Sequence, residues 1–465
     1  MISDLIAART QMAMSLGFHI VFAALGIAMP VLMAAAEWRW LKTQDEAYLT
    51  LAKRWSNGTA ILFAIGAVSG TVLSFELGLL WPSFMERAGP VIGPLFGLEG
   101  FAFFTEAIFL GIYLYGWSRL SPRAHFVAGL VVAASGTASA IFVVTVNAWM
   151  NAPTGFDVID ERIANVRPLV PLLHPLAFHE TVHMLLAAFA ATGFLVAGIH
   201  AFLLLRRPSH RFHRNALVIA LVVGGIPAVL QPFSGDLIAR AVADHQPAKL
   251  AAMEALFVTE AGADFVLFGL PDVSTQTVDY ALAIPNGLSL LLHGDPQAVV
   301  PGLDQIPRQD WPPVTVTHVA FQLMVGCGLI MAGTAVWAAV RRWQGRLETD
   351  RWLFRTLVVI APLGFIAIQA GWAVTEVGRQ PWIVQGLMRT SKAVTPMPGL
   401  WIPMVTFSVL YMVLAGVVVW AIRRHIAASE AAPSSGFGQG QTPRADAGKG
   451  VSPQGSIDFA TNRHE

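Results

Sequence analysis

Charge and cysteine are what this chain has little of. Only 13% of its residues are Asp, Glu, Lys or Arg, about half the share found in soluble domains, so most of its surface has no means of staying in water. The single cysteine, Cys327, excludes an internal disulfide framework. No CxxCH occurs, which excludes covalent attachment of a c-type heme and leaves only noncovalent binding. A formal net charge of +1 gives no basis for binding nucleic acid or another polyanion. Alternating runs of the β-barrel kind are missing, and no internal repeat is evident. Residues 1–11 contain Asp4 and Arg9 but no basic n-region or small-residue cleavage site, so the first helix is expected to be an uncleaved anchor.

What the chain does have is apolar length. Hydrophobic residues make up 55% of it and mean hydropathy is +0.59. Nine stretches, 11–36, 56–80, 95–117, 124–149, 176–205, 215–235, 313–340, 354–375 and 401–422, are each long enough to cross about 30 Å of hydrocarbon as a helix. The predicted fold is therefore all-α: a polytopic membrane protein with nine transmembrane helices in a bundle. Helices one to six fall in 1–235, a long outer loop in 236–312, helices seven to nine in 313–424, and a Ser-, Gly-, Pro- and Gln-rich tail, expected to be disordered, in 425–465. One alternate set of loops holds 17 of the 30 Lys and Arg, whereas the long loop carries ten Asp or Glu against Arg240, Lys249 and Arg308. By the positive-inside rule the N-terminus and the acidic loop face the periplasm and the C-terminus faces the cytoplasm.

Against this apolar background a few polar residues stand out, because ionisable groups inside a membrane are costly and tend to have a task. Glu376 and Arg379 lie in GWAVTEVGRQPW, Gly371 to Trp382, where the eighth span ends. His19 sits in helix one among apolar neighbours, and is either bonded to an adjacent helix or a ligand. Glu99 and Glu106 in LEGFAFFTEA are two helical turns apart, about 10 Å of rise, nearly on one face. They read as a proton relay or as two acids each bonded to a neighbouring helix. Helix five opens HPLAFHETVHMLLAAF, in which His179 to His183 fits the HExxH zinc pattern, although no later segment offers an obvious third ligand beyond Glu376. Met324 in THVAFQLMVGCG reads first as packing. It lies at a depth similar to His183, however, and a histidine opposite a methionine is how a six-coordinate b-type heme is held. The predicted topology puts His19, Glu99, His183, Met324 and Glu376, on five helices, in the outer half of the membrane, and a common layer points to a cofactor layer. In the outer loop, QPAKLAAMEALF places Lys249 and Glu254 on a short predicted helix. They are either a solvated surface or a pair at the membrane rim that orients a quinol and accepts its protons.

These segments together resemble subunit I of the cytochrome bd-type quinol oxidases. The likeness runs from Arg9 to about Arg424, and GWxxxEVGRQPW, QPAKLAAMEA and LEGFAFFTE are its most specific parts. The resemblance implies nine helices and three hemes near the outer face, in a heme-containing terminal oxidase of the aerobic respiratory chain that oxidises quinol and reduces dioxygen to water. It implies that His183 and Met324 ligate a low-spin heme b. His19 and Glu376 would serve a high-spin heme b and a heme d, or a third heme b in its place, with Glu99 beside them, Arg379 near the propionates and Trp372 in the same cofactor-contacting segment. Lys249 and Glu254 match the quinol-binding loop, here the short version that resembles the cyanide-insensitive oxidases. Glu106 and Ser139 match the proton path from the cytoplasm.

By the same resemblance the partners are subunit II, a small single-helix accessory subunit, ubiquinol or another quinol, and dioxygen, and the location is the cell inner membrane. Quinol protons would leave outward and protons for water would enter from inside, so that a proton motive force arises without pumping. Two positions depart from the family pattern. Gln322 stands where other members carry arginine, a change that bears on how reduced low-spin heme is stabilised, and Gln369 replaces a glutamate. The resemblance also makes the HExxH match accidental. Two readings from other classes are a cofactor-free proton or ion transporter using Glu99, Glu106 and Glu376, and an intramembrane zinc protease.

Overall fold

The structure is a computed structural model that describes residues 3–160, 162–208 and 210–431. Among them, nine helical segments are long and apolar enough to cross a membrane. They are α1 (Asp4–Thr43), α2 (Glu46–Leu80), α3 (Pro82–Tyr115), α4 (Pro122–Asn151), α5 (Pro175–Arg206), α6 (Arg211–His245), then, after short α7 (Pro247–Met253) and α8 (Gly287–His293), α9 (Val314–Trp343), the pair α10 (Arg351–Ile360) with α11 (Leu363–Val377), and α12 (Trp401–Ala431). The all-α bundle expected from the apolar runs is what forms.

Local chemistry sets the helix ends. Ser3, Asp45 and Ser121 cap α1, α2 and α4 by accepting from the backbone N–H groups of Ile6, Ala47 and Ala124. Prolines begin α3, α4, α5 and α7, where the missing N–H costs nothing. Several ends differ from expectation. α1 starts at Asp4, seven residues before the apolar run, so His19 lies 15 residues along it. α6 continues to His245, past the expected edge at 235, its polar end carrying an Asp236–Arg240 pair one turn apart (3.1 Å). The span expected to be continuous over 354–375 is broken at Ala361–Pro362, because proline cannot donate to the preceding turn. The last helix runs on to Ala431, into the segment expected to be tail, and 432–465 lies outside the described residues.

At the centre is α5, which packs on α1, α4, α6, α10 and α11. Small residues make that possible. A Cβ on Gly193 would come 2.4 Å from the Gly224 Cα of α6, and one on Gly364 of α11 would come 2.4 Å from the Ala191 Cα. The most apolar stretch of α5 is 67% buried, that of α2 only 11% and that of α12 only 6%. Phe75 and Leu79 on α2 and Phe101, Phe104 and Ile108 on α3 point outward, so one side of the bundle offers broad apolar faces to lipid or another chain.

The long loop is folded. α7 follows α6 directly, and an antiparallel hairpin pairs Phe265–Asp272 with Thr277–Ile284, with register irregularities on either side of Phe268. A second short ribbon joins Glu260–Ala261 to Val299–Val300 and closes the loop around α8.

Candidate active site

A cavity of about 290 Å³ lies between α4, α5, α6, α9 and α11 and opens toward the outer loop. His183, Met324 and Trp372 line it, as do Lys249 and Glu254, so five of the residues singled out in the sequence meet at one void. The walls are otherwise mostly aliphatic. His183 holds its ring by Nδ1, 3.3 Å from the Ser234 hydroxyl, which leaves Nε2 to face Gln231 (3.1 Å). The Gln231 Oε1 has no hydrogen-bond partner although it is buried. Glycines clear the space. A Cβ on Gly371 would come 3.0 Å from the Met324 sulfur, and the nearest atom to one on Gly235 is His183 Cε1, at 3.7 Å. A soft sulfur and an imidazole nitrogen on the walls of one apolar, glycine-cleared cavity are a donor set that suits a six-coordinate heme iron.

At the outer end, Lys249 and Glu254 are both buried, at 4% exposure each, which disfavours the solvated-surface alternative for this helix. Burial pushes the Glu254 carboxyl up to about 8, and its Oε2 has no partner. Burial likewise holds the Lys249 ammonium below its ordinary value, partly offset by Glu180. Lys249 Nζ donates to Asn151 Oδ1 (2.8 Å), and Asn151 is the hub of a buried network. Its oxygen also accepts from Gln246 (3.2 Å) and Arg379 (3.5 Å), while its Nδ2 donates to Asn147 (3.0 Å) and Glu180 (3.2 Å). Asn147 in turn donates to Glu376, whose other oxygen accepts from Arg379 at 2.5 Å. Glu376 and Arg379 are therefore joined, through two asparagines, to the residues of the loop.

Three residues of this network, Asn147, Asn151 and Glu180, escaped the sequence reading. The usable signal was NAWMN, two asparagines one turn apart at the end of an apolar helix. Glu180 was noticed only as part of HExxH. In the structure its side chain bonds Asn151, while His179 packs its ring against Phe178.

The other singled-out residues lie apart from the cavity. His19 faces α2, with Nδ1 3.0 Å from Ser69 Oγ and its ring against Gly70, where a Cβ would come 3.0 Å from Cε1. Gln369 donates to the Gly17 carbonyl (2.6 Å), which sets α1 and α11 at a common level just before His19. Ser139 donates to Glu99 (3.2 Å), and the Glu106 carboxylate lies against Gly136, 3.2 Å from where a Cβ would be. Ser139 and Asn147 are eight residues apart on α4, so Glu99 sits about 12 Å deeper than Glu376. The candidate layer has that thickness.

The fold and this buried constellation define a multi-span membrane protein built around a cavity suited to a redox cofactor. A family model described as cytochrome bd terminal oxidase subunit I matches residues 7–430. The chain is 36% identical over 426 residues to a putative cytochrome bd menaquinol oxidase subunit I of Bacillus subtilis, covering 90% of this chain and 96% of that one. It is 31% identical over 439 residues to a cytochrome bd ubiquinol oxidase subunit 1 of the same organism, covering 91% and 94%. The bd oxidase structure from Geobacillus thermodenitrificans superposes with a TM-score of 0.86 at 37% identity, covering 92% of this chain and 99% of that one. The chain belongs to the cytochrome bd terminal oxidase subunit I family. It is accordingly part of a membrane-bound, heme-dependent oxidoreductase of electron transport, which sets aside both the cofactor-free transporter and the zinc protease.

Proposed function

We propose that the protein oxidises a quinol at the periplasmic end of the cavity, that dioxygen is reduced to water deeper in the bundle, and that the two half-reactions exchange protons with opposite sides of the inner membrane. The observation that carries this reading is the meeting of Lys249 and Glu254 with His183 and Met324 at one cavity. A quinol must lose two protons as it gives up electrons. Glu254, with a buried, unpartnered oxygen and a carboxyl raised to about 8, is suited to hold a phenolic hydroxyl and take its proton. Lys249, fixed by Asn151, orients the second oxygen of the ring.

His183 and Met324 would hold a low-spin heme b, and His19 and Glu376 the high-spin heme b and a heme d or third heme b. When bound, these hemes supply the electron carriers and the iron at which dioxygen is reduced. Arg379, buried and with an unpartnered Nε, has the charge to neutralise a propionate, and Trp372 gives the ring a flat apolar wall. Glu106, then Glu99 with Ser139, would pass protons from the cytoplasmic side along the α3–α4 interface. The exposed apolar faces of α2 and α3 are suited to subunit II, with a small single-helix accessory subunit as a further partner. The excess of Lys and Arg in the loops opposite the quinol site supports a cytoplasmic C-terminus.

The test is Glu254→Gln in the purified two-subunit enzyme. Quinol oxidation should fall at least tenfold while dithionite still reduces every heme. Unchanged quinol oxidation would contradict the role given to this loop.

A further inference from the structure

On α9, His318 and Gln322 are one turn apart and face the outer loop together. His318 is fully buried, and its Nδ1 donates to the carbonyl of Met253, the residue directly before Glu254, at 2.6 Å. Its Nε2 lies 2.7 Å from the Gln322 side-chain amide. That amide, set with its nitrogen toward the Gly269 carbonyl, donates there at 3.2 Å and accepts from the Gly269 N–H at 3.0 Å. Gly269 lies where the hairpin register slips between Phe268 and Leu270, so the pairing shifts at this residue and the side chain of Gln322 serves it instead. The position tolerates no side chain: a Cβ would come 2.4 Å from Val278 Cγ1. Two adjacent ties thus leave one turn of α9 for the outer loop, Gln322 to the hairpin at Gly269 and His318 to the end of α7 at Met253. Met253 and Glu254, at the end of α7, and Phe265, at the start of the hairpin, all line the cavity.

We propose that His318 and Gln322 are positioning residues of the quinol site, fixing the two separate pieces of the outer loop to the helix that carries Met324. The inference rests on the reading of Lys249 and Glu254 as quinol-facing and adds the device that sets their distance from the hairpin wall. Without it, α7 is joined to α9 only by packing among the described residues and the hairpin only by packing and one long hydrogen bond, from Thr315 Oγ1 to the Pro271 carbonyl (3.4 Å), and the mouth of the cavity loses its fixed width. Binding of quinol suffers first, because an open loop must be ordered anew for each molecule.

The experiment uses the complete two-subunit oxidase carrying Gln322→Met, which keeps length and packing while removing both hydrogen bonds to Gly269, and separately His318→Phe. Hydrogen exchange in the peptide spanning 265–284 should quicken at least tenfold. KM for quinol should rise five- to tenfold while kcat falls less than twofold, and the dithionite-reduced spectrum should not change. If His318→Phe does not assemble, Gln322→Met carries the test alone. Exchange and KM both within twofold of the unaltered enzyme would overturn the inference, as would faster exchange without a rise in KM, which would make the pair a structural tie and no more. An unaltered enzyme with no saturable dependence on quinol would instead refute the quinol reading, whatever the exchange data.

Discussion

Two groups of buried and half-buried polar residues sit in the outer part of this bundle, and they are built differently. Around His183 and Met324, five helices and the outer loop converge on one cavity, with asparagines bonding the charged groups to one another. Around His19 and Glu99 the contacts are separate, His19 bonding Ser69 on α2 and Glu99 accepting from Ser139 on α4, and neither bond joins α1 to α3. Glu99, in the second group, sits about 12 Å deeper along α4 than Glu376. The contrast teaches that the charged groups of the loop are tied into one hydrogen-bond network that also holds Glu376, whereas His19 and Glu99 are tied separately to their nearest helices.

The strongest way to break the comparison is at Met324. Met324→Leu keeps the volume and removes the sulfur, so quinol-driven oxygen uptake should drop at least a hundredfold and the low-spin signal should become high-spin in the optical spectrum. A low-spin signal that survives would remove Met324 from the ligand set.

Next comes Asn151→Leu, which strips the hub from Lys249, Glu180 and Arg379 at once. Leaving a buried charge unpaired costs about 3–5 kcal/mol, so a lower melting temperature in detergent should accompany a tenfold loss of quinol oxidation. The same class of change at Ser69, in the second group, should cost only about 1 kcal/mol, the worth of one hydrogen bond.

A pH series sharpens the difference further. Glu254 is raised to about 8, so it is protonated at neutral pH and becomes a proton acceptor as pH climbs through that value. Lys249, whose ammonium is lowered, loses its proton in the same direction. kcat/KM for quinol should therefore rise between pH 6.5 and 8.5, by about three- to tenfold if one group titrates, and Glu254→Gln should flatten that limb.

Smallest of all is the surface control. Arg211 and Asp45 pair at 2.7 Å, with the arginine side chain 71% exposed. Arg211→Ala should shift stability by about 0.2–1 kcal/mol and leave oxygen uptake as it was.

The bundle was legible because apolar length is a coarse signal that one-residue errors do not disturb. Its breaks were less so: Pro362 splits a span whose hydropathy runs straight through it, and polar Asp236–Arg240 stays helical beyond the apolar run. The hairpin was missed because its strands turn Leu267, Phe268, Leu282 and Ile284 outward, leaving no clean alternation to read. Of the site, residues that are rare in membranes announced themselves. Asn147 and Asn151 did not, since an asparagine at a helix end reads as an ordinary boundary, and only the fold shows that four charged groups converge on them.

The account depends on an iron porphyrin held between α5 and α9 in the cavity that Lys249 and Glu254 close. The most direct measurement is the heme content of the purified two-subunit complex by pyridine hemochromogen, unaltered and with His183→Ala. Loss of one heme b with the remaining hemes retained is the predicted result. Equal heme content in the two preparations would contradict it.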